Sequence, residues 1–181
     1  MQKQTKASTT TSPAKTRLPA ARPDPARSVD LAIETAGSNP SDAVRVYLHL
    51  HYASGIIIKR VDRHLSRWNL SVARYTLLRL LLNYQAMTLT ELSKSHECGA
   101  GNITALVDRL ERDRLVRRIA YKQDKRITQV ALTAKGRSVV TAAMEPHRQF
   151  VEQLMGVLGP EEINGLGRMI DALAKRAQDQ A

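Results

Sequence analysis

From Pro40 onward the apolar residues recur at regular spacings that predict a series of elements. Pro40-Ser41-Asp42 reads as a helix start. Val44, Tyr47, Leu48, His51, Ile58, Val61 and Leu65 then follow the three-and-four spacing of an amphipathic helix that ends near Trp68. Ser71 is placed to cap a second helix carrying Val72, Tyr75, Leu78 and Leu82. Leu77 to Leu82 is apolar nearly all round, which predicts deep burial. Thr90 and Glu91 open a short helix to His96, Gly99-Ala100-Gly101 marks a turn, and Ile103, Leu106, Val107 and Leu110 form the buried stripe of a third long helix.

The period then changes. Leu115 to Tyr121 alternates apolar and basic residues, Lys122 to Lys125 is a polar turn, and Ile127, Val130 and Leu132 begin a return strand. A β-hairpin directly after a helix-turn-helix predicts a winged helix. Thr133 caps a further helix reaching about Leu158, and Pro160, followed by Glu161 and Glu162, starts the last one.

Residues 1–40 show no such period. They hold all but two of the prolines and six Lys and Arg against Asp24, Asp30 and Glu34, which predicts a disordered basic arm; a Ser-rich, acid-poor transit peptide is the other reading. No apolar core follows the early lysines, so a secretory signal is not expected.

Charge gives these elements a purpose. The 181 residues carry 28 Lys and Arg against 17 Asp and Glu, a formal net charge of +11, and the pI near 10.2 points to a polyanionic partner. Between 109 and 126, eight cations (Arg109, Arg112, Arg114, Arg117, Arg118, Lys122, Lys125 and Arg126) face Glu111, Asp113 and Asp124, leaving +5 on the third helix and its hairpin. A solvated face is the plain alternative, but that position favours duplex DNA. Aromatic residues are only 4%, which argues against stacking on single strands.

With Ile103, Leu106, Val107 and Leu110 inward, the outward face of that helix holds Gly101, Thr104, Ala105, Asp108 and Arg112, with Asn102 and Arg109 at one edge. Its N-terminal residues would reach furthest into the major groove. Asn102 either reads adenine or caps the helix; Thr104 can donate or accept, and the Ala105 methyl can touch thymine. Asp108 faces DNA and needs a cation, Arg126 or Arg112. Lys122, Arg117 and Arg118 read as phosphate contacts, and Lys125 and Arg126 as minor-groove residues.

Three segments resemble the MarR family of bacterial ligand-responsive regulators: Thr104-Ala105-Leu106-Val107-Asp108-Arg109-Leu110-Glu111, Leu115-Val116-Arg117-Arg118 leading to Asp124-Lys125-Arg126, and Leu132-Thr133-Ala134-Lys135-Gly136-Arg137. Two positions depart from the family pattern: Ala105 stands where Arg is frequent, and Arg114 where glycine is common. The resemblance implies a mainly α fold, with a winged helix-turn-helix and two-strand wing over 69–133. Residues 41–68 and 134–181 would supply the dimerisation helices of a homodimer. It also implies that Asp108 braces the wing through Arg126, and that the regulator, most often a repressor, binds an inverted-repeat operator in the bacterial cytoplasm. A small aromatic or phenolic carboxylate, or its acyl-CoA thioester, would release it.

Tyr47, His51, Trp68, Arg74 and Tyr75 are the candidate effector residues, since aromatics give a flat wall and Arg pairs a carboxylate; ordinary core packing is their other reading. Cys98, the single cysteine, is either an inert turn residue or an oxidant sensor. His49 and His51 point to different helix faces, so no metal site is expected, and no cofactor or enzyme motif is present. An architectural DNA-binding protein without effector is the rival function.

Overall fold

The computed structural model describes residues 41–96, 100–121 and 127–179; of His96, Ala100, Gly101 and Asn102 only the backbone is described. The described residues divide into two units, with the boundary between Tyr52 and Ala53. The described elements are α1 (Asp42–Leu65) with a 3₁₀ turn (Ser66–Trp68), α2 (Val72–Tyr84), β1 (Ala86–Thr88), α3 (Leu89–His96), α4 (Ala100–Arg112), β2 (Val116–Ala120), β3 (Thr128–Leu132), α5 (Ala134–Met155) and α6 (Pro160–Gln178). Among the described residues no helix is long and apolar enough to cross a membrane.

Short-range chemistry sets the element ends. The Ser71 hydroxyl accepts from Arg74 N at 3.3 Å and starts α2. Thr133 does the same for α5, accepting from Gly136 N at 3.0 Å. Thr88 and Glu91 form a reciprocal capping box: Glu91 N donates to Thr88 Oγ1 at 3.2 Å and Thr88 N to Glu91 Oε2 at 2.7 Å. Thr88 N, and the Thr88 hydroxyl at 2.9 Å, both donate to the carboxylate and lower the Glu91 pKa, and the box starts α3 two residues earlier than Thr90-Glu91 suggested.

Two turns close on left-handed residues. At the end of α4, Leu115 N donates to Leu110 O and Arg114 N to Glu111 O, both at 2.9 Å, the paired bonds of a Schellman motif. Arg114 takes φ 59° there, at the position where the family commonly has glycine. Asn69, at φ 56°, makes the equivalent turn after the 3₁₀ segment.

The expected two-strand wing, β2 and β3, is joined by a third strand, β1, that the periodicity did not predict. β3 lies between β1 and β2, antiparallel to both, with Met87 opposite Val130 and Arg118 opposite Val130 on the other side. Underneath, Leu65, Leu77, Leu78, Leu81, Leu92, Ile103, Val107, Leu110, Val116, Val130 and Val140 are fully buried in one cluster. At roughly 2 kcal/mol for each buried aliphatic side chain, this cluster fixes α4 and the hairpin on a common base.

Candidate nucleic-acid interface

α4 presents two chemically opposite sides. Ile103, Val107 and Leu110 are completely buried and Leu106 nearly so, while Thr104, Asp108, Arg109 and Arg112 are exposed and Ala105 is half-buried. The apolar stripe thus anchors the helix and turns its polar residues outward, as the periodicity predicts. Gly101 and Asn102 lie in its first turn. Lys122, Lys125, Arg126 and Cys98 lie outside the described residues.

The hairpin is bolted to α4 by charge. Asp108 Oδ1 accepts from the Arg118 guanidinium at 2.6 Å, and Glu111 pairs with the same guanidinium while accepting from Arg118 N at 3.0 Å. Two carboxylates raise the already high Arg118 pKa, the Asp108 hydrogen bond most of all. Arg118 therefore ties β2 to α4, whereas the sequence had suggested a phosphate contact. Among the described residues the cation paired with Asp108 is Arg118, on the strand; Arg126, the partner that the family resemblance implies, lies outside them. The pairing of a carboxylate with an arginine ten residues on leaves no mark in hydrophobic periodicity, which is why it was missed. Arg117 is exposed, and no described carboxylate pairs with it.

A second ion pair, Arg74 with Asp113, ties α2 to the turn after α4. The Lys135 ammonium adds a bond to Asp113 O at 2.9 Å. Arg74 is thus paired with Asp113, while its Nε is buried without a hydrogen-bond partner.

Among the described residues, the candidate effector residues of the second unit line two different cavities. Tyr47 and His51 stack in the first unit with ring centroids 6.3 Å apart. In the second, Trp68 and Arg74 line a small polar cavity of about 140 Å³ with Asn69, Asp113, Leu115, Lys135 and Val139. Tyr75 lines another of about 260 Å³ with Thr76, Arg79, Leu80 and Asn83.

Trp68 and Tyr75 also join an aromatic cluster that sequence reasoning missed. His64 stacks on Phe150 at 4.1 Å and tilts against Trp68 at 5.5 Å, and the Tyr75 ring meets His147 edge-on at 4.6 Å. His64 and His147 are 5.9 Å apart. His64 Nε2 and His147 Nδ1 are buried without a hydrogen-bond partner. Burial lowers both histidine pKa values; Arg67 pushes His64 further down, and His64 and Arg79 do so for His147.

A helix-turn-helix with a charged outer face, locked to an adjoining β-wing, defines a winged-helix DNA-binding protein. Residues 70–128 match the family model described as MarR family. The HTH-type transcriptional regulator MhqR of Bacillus subtilis is 24% identical over 136 residues, covering 75% of this chain and 94% of that protein. The HTH-type transcriptional repressor YetL of the same organism is 26% identical, covering 79% and 87%. Among solved structures, Sco3205 of Streptomyces coelicolor, a MarR-family regulator in complex with DNA, superposes with a TM-score of 0.70 at 26% identity, covering 77% of this chain and 89% of that one. By this match and these relatives the chain is a DNA-binding transcriptional regulator similar to members of the MarR family, and the proteins it is similar to are regulators.

Proposed function

We propose that the protein is a homodimeric repressor of an inverted-repeat operator, released when a small aromatic acid or its acyl-CoA thioester occupies the Tyr75–Arg79 cavity. The two-sided burial of α4 carries this reading. It supports Asn102, Thr104 and Ala105 as base-reading residues with Gly101 allowing close approach, and Arg109 and Arg112 as flanking cations. Lys122, Lys125 and Arg126 extend the contact along the wing. The protein works in the cytoplasm, and residues 1–40 add sequence-independent attraction through their net positive charge.

Exposed apolar residues support the dimer. α6 leaves Ile163, Met169, Ile170 and Leu173 exposed, and α1 exposes Ile56, Ile57 and Ile58 past its midpoint. In the first unit Val44, Val46, Tyr47 and Leu50 are also exposed. Apolar surface on this scale marks association. The effector reading is supported by a largely apolar Tyr75 cavity with Arg79 at its wall. Arg79 has no described carboxylate partner, unlike Arg74, and is the better placed of the two to pair an acid.

The deciding experiment selects operators from random duplexes and then compares the selected repeat with scrambled DNA by fluorescence anisotropy. A preference of about a thousandfold or more is expected. Equal binding to both would leave an architectural protein.

A further inference from the structure

At the end of α1 and in the 3₁₀ turn that follows it, Arg60, Arg63, His64 and Arg67 fall three or four residues apart. With Phe150 of α5 they line a cavity of about 230 Å³, separate in its lining residues from the Tyr75–Arg79 cavity. None of the three guanidiniums pairs with a described carboxylate. The nearest acid in sequence, Asp62, is engaged with Val72 N at 2.7 Å. His64 is 8% exposed, stacks on Phe150 at 4.1 Å, and leaves Nε2 without a partner. Three like charges brought together without counter-charge repel one another, and a buried ring nitrogen without a partner is costly. A ligand would relieve both.

We propose that this arginine cavity is a second small-molecule site, taking a compact planar ring that bears a dianionic group, an aryl phosphate or an aromatic dicarboxylate. Guanidiniums bind carboxylate and phosphate oxygens in pairs, so three of them suit two negative charges better than one. The His64–Phe150 stack offers an aromatic surface for the ring, and His64 Nε2–H can donate to an oxygen. The volume admits a single ring. The site is independent of the effector reading above.

The test is calorimetric titration of the full chain with phenyl phosphate, phthalate, benzoate and inorganic phosphate. Phenyl phosphate and phthalate should bind at least about tenfold more tightly than benzoate and inorganic phosphate. Arg60→Gln and Arg67→Gln should each weaken phenyl phosphate by about tenfold, Phe150→Leu should erase the preference of phenyl phosphate over inorganic phosphate, and Arg79→Gln should leave the phenyl phosphate affinity unchanged. Affinity for a random duplex, measured without ligand, should be the same for Arg67→Gln as for wild type. Binding lost in Arg79→Gln but kept in Arg67→Gln would overturn the proposal, as would inorganic phosphate matching phenyl phosphate. So would a fall in duplex affinity for Arg67→Gln, which would make these arginines DNA-phosphate contacts. Because the readout is ligand heat and not operator release, a negative result leaves the Tyr75–Arg79 reading standing.

Discussion

The Asp108 carboxylate holds the Arg118 guanidinium at 2.6 Å, so the exposed face of α4 and the first strand of the wing move as one piece. The pair is only part-buried, at 50% and 30% side-chain exposure, so its loss is mild: Asp108→Ala should cost less than about 1 kcal/mol of stability. Glu111 also accepts from the strand backbone. Glu111→Ala should therefore cost about 1–3 kcal/mol, because it leaves a half-buried N–H unsatisfied. Urea melts of both variants check the order, and a larger loss for Asp108→Ala would make Asp108 the main brace.

Neighbouring arginines on β2 should behave differently on DNA. Arg117 is exposed and lacks a described carboxylate partner, whereas Arg118 is held by two. Arg117→Ala should reduce the slope of log affinity against log salt by about one, leaving stability unchanged. Arg118→Ala should destabilise the fold and move the slope less. Equal slope changes would show that Arg118 leaves its carboxylates to reach phosphate.

Gly136 owes its identity to a close approach. A Cβ there would stand 1.9 Å from the backbone oxygen of Leu115, which also accepts from Thr133 N at 3.1 Å and cannot swing aside. Gly136→Ala should cost about 3 kcal/mol or more, since helix and hairpin must separate. Gly167→Ala, at a position where nothing lies within 4 Å of the added carbon, is the matched control and should be neutral or stabilising. Thermal melts of the two variants make the comparison.

Arg114→Gly should raise stability by about 0.5–1 kcal/mol, because the left-handed turn disfavours any side chain. Its Schellman bonds and the 2.7 Å bond from the Thr133 hydroxyl to Arg114 O use only the backbone of residue 114 and survive the change. A stability equal to or below that of wild type in chemical melts would mean that the arginine side chain offsets the strain.

Much of this was legible before the fold was seen. The inward stripe of α4 and the Ser71 and Thr133 caps are local in sequence, and periodicity or a three-residue spacing reports them. β1 was not legible: Ala86 to Thr88 is too short to alternate, and it becomes a strand only because β3, over forty residues later, supplies its partners. The Arg60, Arg63 and Arg67 spacing was present in the sequence, but Phe150, which completes the cavity, is distant along the chain. The histidine cluster is likewise a product of α1 packing on α5.

That cluster predicts a pH response. Burial lowers the pKa of both His64 and His147 in the folded chain, so the folded state favours their neutral rings. Unfolding returns them to about 6.5. The unfolded chain then binds protons more readily, and stability rises with pH across this range. Their contribution is fully present above about 6.5 and is lost as pH falls through that value towards the lowered folded pKa values. The Tm should therefore drop between about pH 7.5 and 5.5, before most carboxylates titrate. His64→Phe retains the stacking on Phe150 while removing one titrating ring, and should flatten this part of the curve. His147→Phe should do the same against Tyr75. A wild-type Tm that stays flat over this interval, or a His64→Phe curve as steep as wild type, would show that the buried rings accept protons at no cost to the fold.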